Sequence, residues 1–215
     1  MKKEILQQLI ASSEYLSEFK LKGRKLIRAT ADGWESVEFE AYTRSWDSET
    51  DKPALRLYPI YGRRFDVLHK WFEPFSFKTL KDQRSNYTVA FDGEMLNTDS
   101  YFYFPKDGSR YDERFALLKG EVEKNAKAVF TRYATVEDFY QQTVRPLLDD
   151  ESILPNVGAD WIFLYLKASR LAAPQDYPAI KNRILQQAEM MNKRGEPNVV
   201  LVYPKLNDIF NEVER

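Results

Sequence analysis

Ile5, Leu6, Leu9, Ile10 and Leu16 fall on one face at helical spacing, which predicts an amphipathic helix over residues 2–17. From Leu26 to Phe104 the period changes. Val37, Phe39 and Ala41 alternate with Ser36, Glu38, Glu40 and Tyr42, the pattern of a strand with one buried and one wet face. Asp32-Gly33 precedes that run and is a hairpin signal, so Leu26–Thr30 and Trp34–Arg44 are expected to pair antiparallel. Leu55, Leu57 and Tyr61 predict a third strand, with Pro59 placing its end at an edge or bulge. Tyr87, Val89 and Phe91 predict another, closed by Asp92-Gly93. The aromatic run Tyr101–Phe104 predicts one more, ended by Pro105.

After Pro105 the helical period returns. Phe115, Leu118, Val122, Ala126 and Val129 form one stripe. Thr135 and Asp138 have the spacing of a capping box, and Phe139, Tyr140, Val144, Leu147 and Leu148 continue the pattern across Pro146, a kink or a stop. Residues 159–172 read as a buried helix through Trp161, Ile162, Tyr165 and Leu166. Asp176 and Pro178 open the next helix, with a stripe of Ile180, Ile184, Leu185, Ala188 and Met191 and a cap at Gly195. Val199–Tyr203 reads as a last short strand or extended segment. Leu206, Ile209, Phe210 and Val213 predict a terminal helix.

Strands come first and helices follow. The expected class is therefore α+β: an N-terminal helix, an antiparallel sheet, then a helical C-terminal half packed on the sheet. No Pro/Gly/Ser-rich linker, repeat or low-complexity segment interrupts the 215 residues. A single domain over 1–215 is expected, with a sub-boundary near 105–110 as the alternative.

Composition narrows the function more than the fold. Lys plus Arg number 32 and Asp plus Glu 33, a balance that argues against nucleic acid as partner. The absence of cysteine excludes disulfides, thiol nucleophiles, thiolate zinc and iron–sulfur ligation. Glu4, Gln7 and Gln8 interrupt the N-terminal apolar residues, so no signal peptide is read there. No segment has the length of a membrane span. The expectation is a soluble cytoplasmic protein without a membrane role.

No short motif supplies chemistry. Gly-x-Gly-x-x-Gly, phosphate-loop, Gly-x-Ser-x-Gly and His-Glu-x-x-His patterns are missing. No cofactor, metal ligand or catalytic residue is assigned. Asp47, Glu49 and Asp51 alternate as in a calcium loop but lack its glycine and closing glutamate, and read as a solvated loop. Glu38 and Glu40 share a strand face, as a glycosidase pair would, but that is also the face expected to meet solvent. Lys20, Lys22, Arg24, Lys25 and Arg28 form a basic cluster that reads as a solvated hairpin entry.

Aromatic content stands out, with 14 Phe, 13 Tyr and 4 Trp. Tyr, Trp and Arg are the types enriched at binding hot spots. The candidate binding segment is Tyr58, Tyr61, Arg63, Arg64, His69 (the sole histidine) and Trp71, with the aromatics as anchors and the arginines as carboxylate contacts. The expected function is a non-enzymatic module that binds a protein partner. The alternative is a hydrolase or carbohydrate-acting enzyme using carboxylates and arginine.

Residues 19–28, Phe-Lys-Leu-Lys-Gly-Arg-Lys-Leu-Ile-Arg, follow the first helix and precede a turn, a strand with Val37-Glu38-Phe39, and Thr43-Arg44-Ser45. Over roughly the first 60 residues this order resembles the bacterial family known as domain of unknown function 4304. Glu18 stands where that family usually has glycine. The resemblance implies an α+β fold and no established activity. It also implies a kinship with partner-binding proteins, among them suspected toxin-neutralising ones.

Overall fold

The computed structural model describes residues 2–76, 78–150, 152–153, 155 and 159–215. In chain order, α1 (Lys2–Ser12) leads to β1 (Lys20–Lys22), β2 (Lys25–Thr30), β3 (Gly33–Asp47) and β4 (Lys52–Phe65). Then come α2 (Asp66–His69), α3 (Leu80–Ser85), β5 (Val89–Asp92) and β6 (Phe102–Pro105). The rest is helical: α4 (Tyr111–Arg132), α5 (Val136–Phe139), α6 (Pro146–Asp149), α7 (Ala159–Ala172), α8 (Tyr177–Lys193), α9 (Pro197–Val202) and α10 (Leu206–Glu214). The protein is α+β, as the strand-then-helix order predicts. Its contacts cluster into two units, one of residues 1–64 and 89–132, the other of residues 65–88 and 133–215.

The first unit holds the sheet, ordered β1-β2-β3-β4-β5, with β6 also on β4. β5 pairs with Ile60–Arg63 and β6 with Ala54–Leu57, both antiparallel. They therefore follow one another along the same side of β4, and residues 93–101 form an excursion between them. Pro59 lies in the gap between the two pairings, where no ladder N–H is required. The strand predicted through Leu55, Leu57 and Tyr61 runs on to Phe65.

One sheet face is apolar and carries α4. Leu55, Leu57, Tyr61, Phe102 and Phe104 are buried, as are Phe115, Leu118, Val122, Ala126 and Val129 of the predicted helical stripe. Phe19 stacks on Phe130 with centroids 6.1 Å apart. Asn125 of α4 donates to Thr98 Oγ1 at 2.8 Å and reaches the buried Tyr61 hydroxyl at 3.4 Å. Burial, opposed in part by this hydrogen bond, pushes the Tyr61 phenol well above its ordinary pKa.

α1 buries Ile5, Leu6 and Leu9 and stops at Ser12, short of the predicted Ser17. The Ser13 hydroxyl accepts the Leu16 N–H at 3.0 Å and offers the backbone a turn in place of another helical bond.

The second unit is built around α7, whose Ile162, Phe163, Leu164, Leu166 and Ala168 are buried. Such a helix, apolar around most of its surface, belongs inside a bundle. α2, α5, α8 and α10 all pack against it. Thr135 and Asp138 form the predicted capping box. Residues 140–144 then widen into a π turn, in which Arg145 N–H bonds Tyr140 O at 2.8 Å. Pro146 has no N–H to continue an α-helical ladder, and it opens α6 as its first residue. The segment Val199–Tyr203, expected to be extended, is helical: α9 begins at Pro197, with its fixed φ at the first turn, and runs to Val202.

Candidate binding surface

The sequence candidates separate by strand alternation. Tyr58 is half-buried on β4 and its hydroxyl donates to Asp92. Burial and that bond hold its phenol above the ordinary pKa. Arg63 and Arg64 are both buried. Arg63 donates to Thr30 Oγ1 at 2.7 Å, pairs with Asp32 at 2.5 Å and lies 4.0 Å from Glu35. That side chain ties β4 to the β2–β3 turn.

His69 and Trp71 belong to the second unit. His69 is buried, with Nε2 2.9 Å from Thr88 Oγ1, which also accepts the Phe65 N–H. Trp71 packs edge-on against Phe72 and Phe163, and its indole N–H donates to Leu68 O at 3.1 Å.

The other ionisable clusters pair their charges within their own unit. Glu38 is buried rather than solvated, between Arg24 Nε at 2.6 Å and Lys25 Nζ at 2.8 Å. Arg28 holds Glu35 and Glu18. Most of the basic cluster is thus spent on carboxylates of its own unit. In the acidic loop, Arg114 reaches both Asp47 (3.3 Å) and Glu49 (2.7 Å), and Arg110 also takes Glu49. The Arg114 and Arg110 guanidiniums hold the Glu49 carboxyl below its usual pKa. No group of three or more metal-ligating side chains occurs among the described residues.

The sheet face away from α4 is different. Tyr42 and Trp46 of β3 and Tyr101 before β6 are exposed, at 42%, 56% and 47%. Arg56 of β4 lies directly opposite Tyr103 of β6 in the strand pairing. Its guanidinium is 4.3 Å from the Tyr42 ring centroid and 4.9 Å from that of Tyr101. Tyr101 in turn stacks on Tyr58 at 5.1 Å. The row Tyr42–Arg56–Tyr101–Tyr58 is therefore a continuous cation–π and π stack.

Beside it, residues 41–46 with Arg56 and Tyr103 line a shallow depression. The carboxylates on this side are engaged by aromatic donors: Glu40 by the Tyr42 hydroxyl at 2.7 Å, Asp51 by the Trp46 indole at 3.0 Å, Asp92 by Tyr58. Arg44 and Arg56 consequently have no carboxylate partner among the described residues, and Arg56 Nε is buried without an acceptor.

Of this surface the sequence-based candidates contain only Tyr58. The signal that reaches the others is the period-two alternation itself. Extended past Ala41, it sets Tyr42, Arg44 and Trp46 on one face.

No protein-family model, no curated protein and no solved structure matches this chain. No helix of the described residues is long and apolar enough to cross a membrane.

Proposed function

We propose that this protein is a non-enzymatic module that binds a protein partner through the Tyr42–Arg56–Tyr101 face of its sheet. One observation carries the reading: an arginine clamped between two exposed tyrosines, with no carboxylate partner among the described residues. Exposed aromatics around a cation make a pre-ordered contact surface, because stacked rings and a fixed guanidinium lose little rotamer freedom on binding. The carboxylates weighed for hydrolytic chemistry support this reading, since Glu38 is neutralised by Arg24 and Lys25.

A photo-crosslinking residue at Thr43, an exposed position on β3, tests the reading in the cells that make the protein. Capture of one discrete protein at Thr43, lost in the Tyr42→Ala, Tyr101→Ala double variant and missing from an exposed control position such as Lys124, is expected. Equal capture at both positions, or turnover in a hydrolase panel that survives the double variant, would overturn it.

A further inference from the structure

β3 is far longer than β2, its neighbour on the outer side. β2 pairs only with Gly33–Glu38, and one further bond, Phe39 N–H to Arg24 O at 2.9 Å, closes that side. From residue 40 onward, β3 has no strand on its outer side among the described residues. Backbone groups in a strand alternate sides residue by residue. The Phe39 N–H points outward, so the N–H and C=O of Ala41, Thr43 and Ser45 face the same open edge. Tyr42, Thr43, Arg44 and Trp46 are exposed there.

A long unpaired edge is a hazard that proteins usually blunt with lysine, proline or short length. β1, the sheet's terminal strand, is blunted in this way: three residues, two of them lysine. The 41–46 stretch contains no lysine or proline.

We infer that this edge accepts an extended, acidic segment of the partner as an additional β-strand. The inference rests on the protein-binding reading above and names how the partner binds. Main-chain pairing with the edge would supply affinity. Alternate side chains would fall over the face that carries Arg44 and Arg56, two cations without a carboxylate partner among the described residues. A second copy of this chain fits the edge less well, because antiparallel self-pairing sets Arg44 against Arg44 directly or diagonally on one face, where like charges oppose pairing. A nucleic acid strand fits less well too. It repeats a phosphate along its length, and this face offers only Arg44 and Arg56 as cations without a carboxylate partner among the described residues, interspersed with Glu40, Asp51 and Asp92.

The probe is a soluble dodecapeptide alternating glutamate and threonine, read by amide hydrogen exchange and by the arginine Nε–H resonances of the full chain. Binding should slow exchange at Ala41, Thr43 and Ser45 at least tenfold and shift the Arg56 Nε–H signal. A glutamine-for-glutamate peptide, and a peptide N-methylated at alternate amides, should each bind at least tenfold more weakly. Thr43→Pro removes an outward N–H that makes no internal ladder bond, so it should leave the fold intact and abolish protection, while Thr43→Val changes neither. The N-methylated peptide keeps the test decisive if Thr43→Pro fails to fold.

An Arg56 shift without edge protection would overturn strand addition but leave the face-binding reading standing. Edge amides protected in the protein alone, in a concentration-dependent manner, would assign the edge to a second copy. Binding of oligothymidylate but not of the peptide would overturn both the inference and the reading it rests on. Failure of the peptide alongside Thr43-specific capture in cells that Ser45→Pro, which removes another outward N–H of the edge, does not reduce would overturn only the inference.

Discussion

Gly93 opens the excursion between β5 and β6, and its place is set by backbone. A methyl group there would stand 2.5 Å from Asp99 O and 2.9 Å from Ser100 Cα, neither of which can swing aside as a side-chain tip can. Gly93→Ala is expected to destabilise the first unit by about 2–3 kcal/mol, the upper range for forcing a methylene into a packed site. A lower urea midpoint at unchanged slope would show it. Asp92-Gly93 was legible as a turn. That the chain leaves β4 there and rejoins it at Phe102 was not, because a turn signal specifies a local reversal and not the strand to which the chain returns. Arg63 teaches the same lesson. Its charge suggested a contact for a partner, but Thr30, Asp32 and Glu35, some thirty residues earlier, surround it.

At the scale of elements, local chemistry was readable where the stabilising partner lies within a turn. Thr135 and Asp138 exchange backbone and side-chain bonds, with Asp138 N–H to Thr135 Oγ1 at 3.1 Å and Thr135 N–H to Asp138 Oδ2 at 2.9 Å. Thr135→Ala should cost about 1 kcal/mol of stability, read as a shift in thermal midpoint, and Thr135→Ser should restore most of it. Val199–Tyr203 shows the opposite case. Its β-branched residues suggest a strand, but strand propensity counts only beside a partner strand. With Pro197 positioned for a first helical turn, the segment coils instead. The reach of β1–β4 differs in the same way. Each strand is marked by its own alternation, whereas the uncovered edge of β3 exists only because β2 stops short.

At the scale of the whole molecule, tyrosines set the alkaline limit. Burial is the leading cause that raises the phenols of Tyr58, Tyr61 and Tyr177, and it pushes Tyr140 up to about 12, helped by its bond to Asp176. A phenol whose folded pKa exceeds its unfolded value binds its proton more tightly when folded. Its stabilisation is complete below the unfolded pKa of about 10 and is lost as pH rises towards the folded value. Stability should therefore hold up to about pH 10 and fall steeply above it. Ultraviolet absorbance of ionised tyrosine should rise in two stages, the second coinciding with loss of circular dichroism. A single stage of all tyrosines near pH 10 in the folded protein would contradict this.

The chain's own order of periods determined the α+β class, the helical stripes of α4, α7, α8 and α10, and the exclusion of cysteine chemistry, since each depends on spacing or composition alone. Alternation likewise determined that each strand has two faces. Tertiary structure alone decided that α4 covers the Tyr61 face and leaves the Tyr42 face open. It also decided which arginines are spent on carboxylates and which are not, because burial and ion pairing join residues that the sequence places far apart.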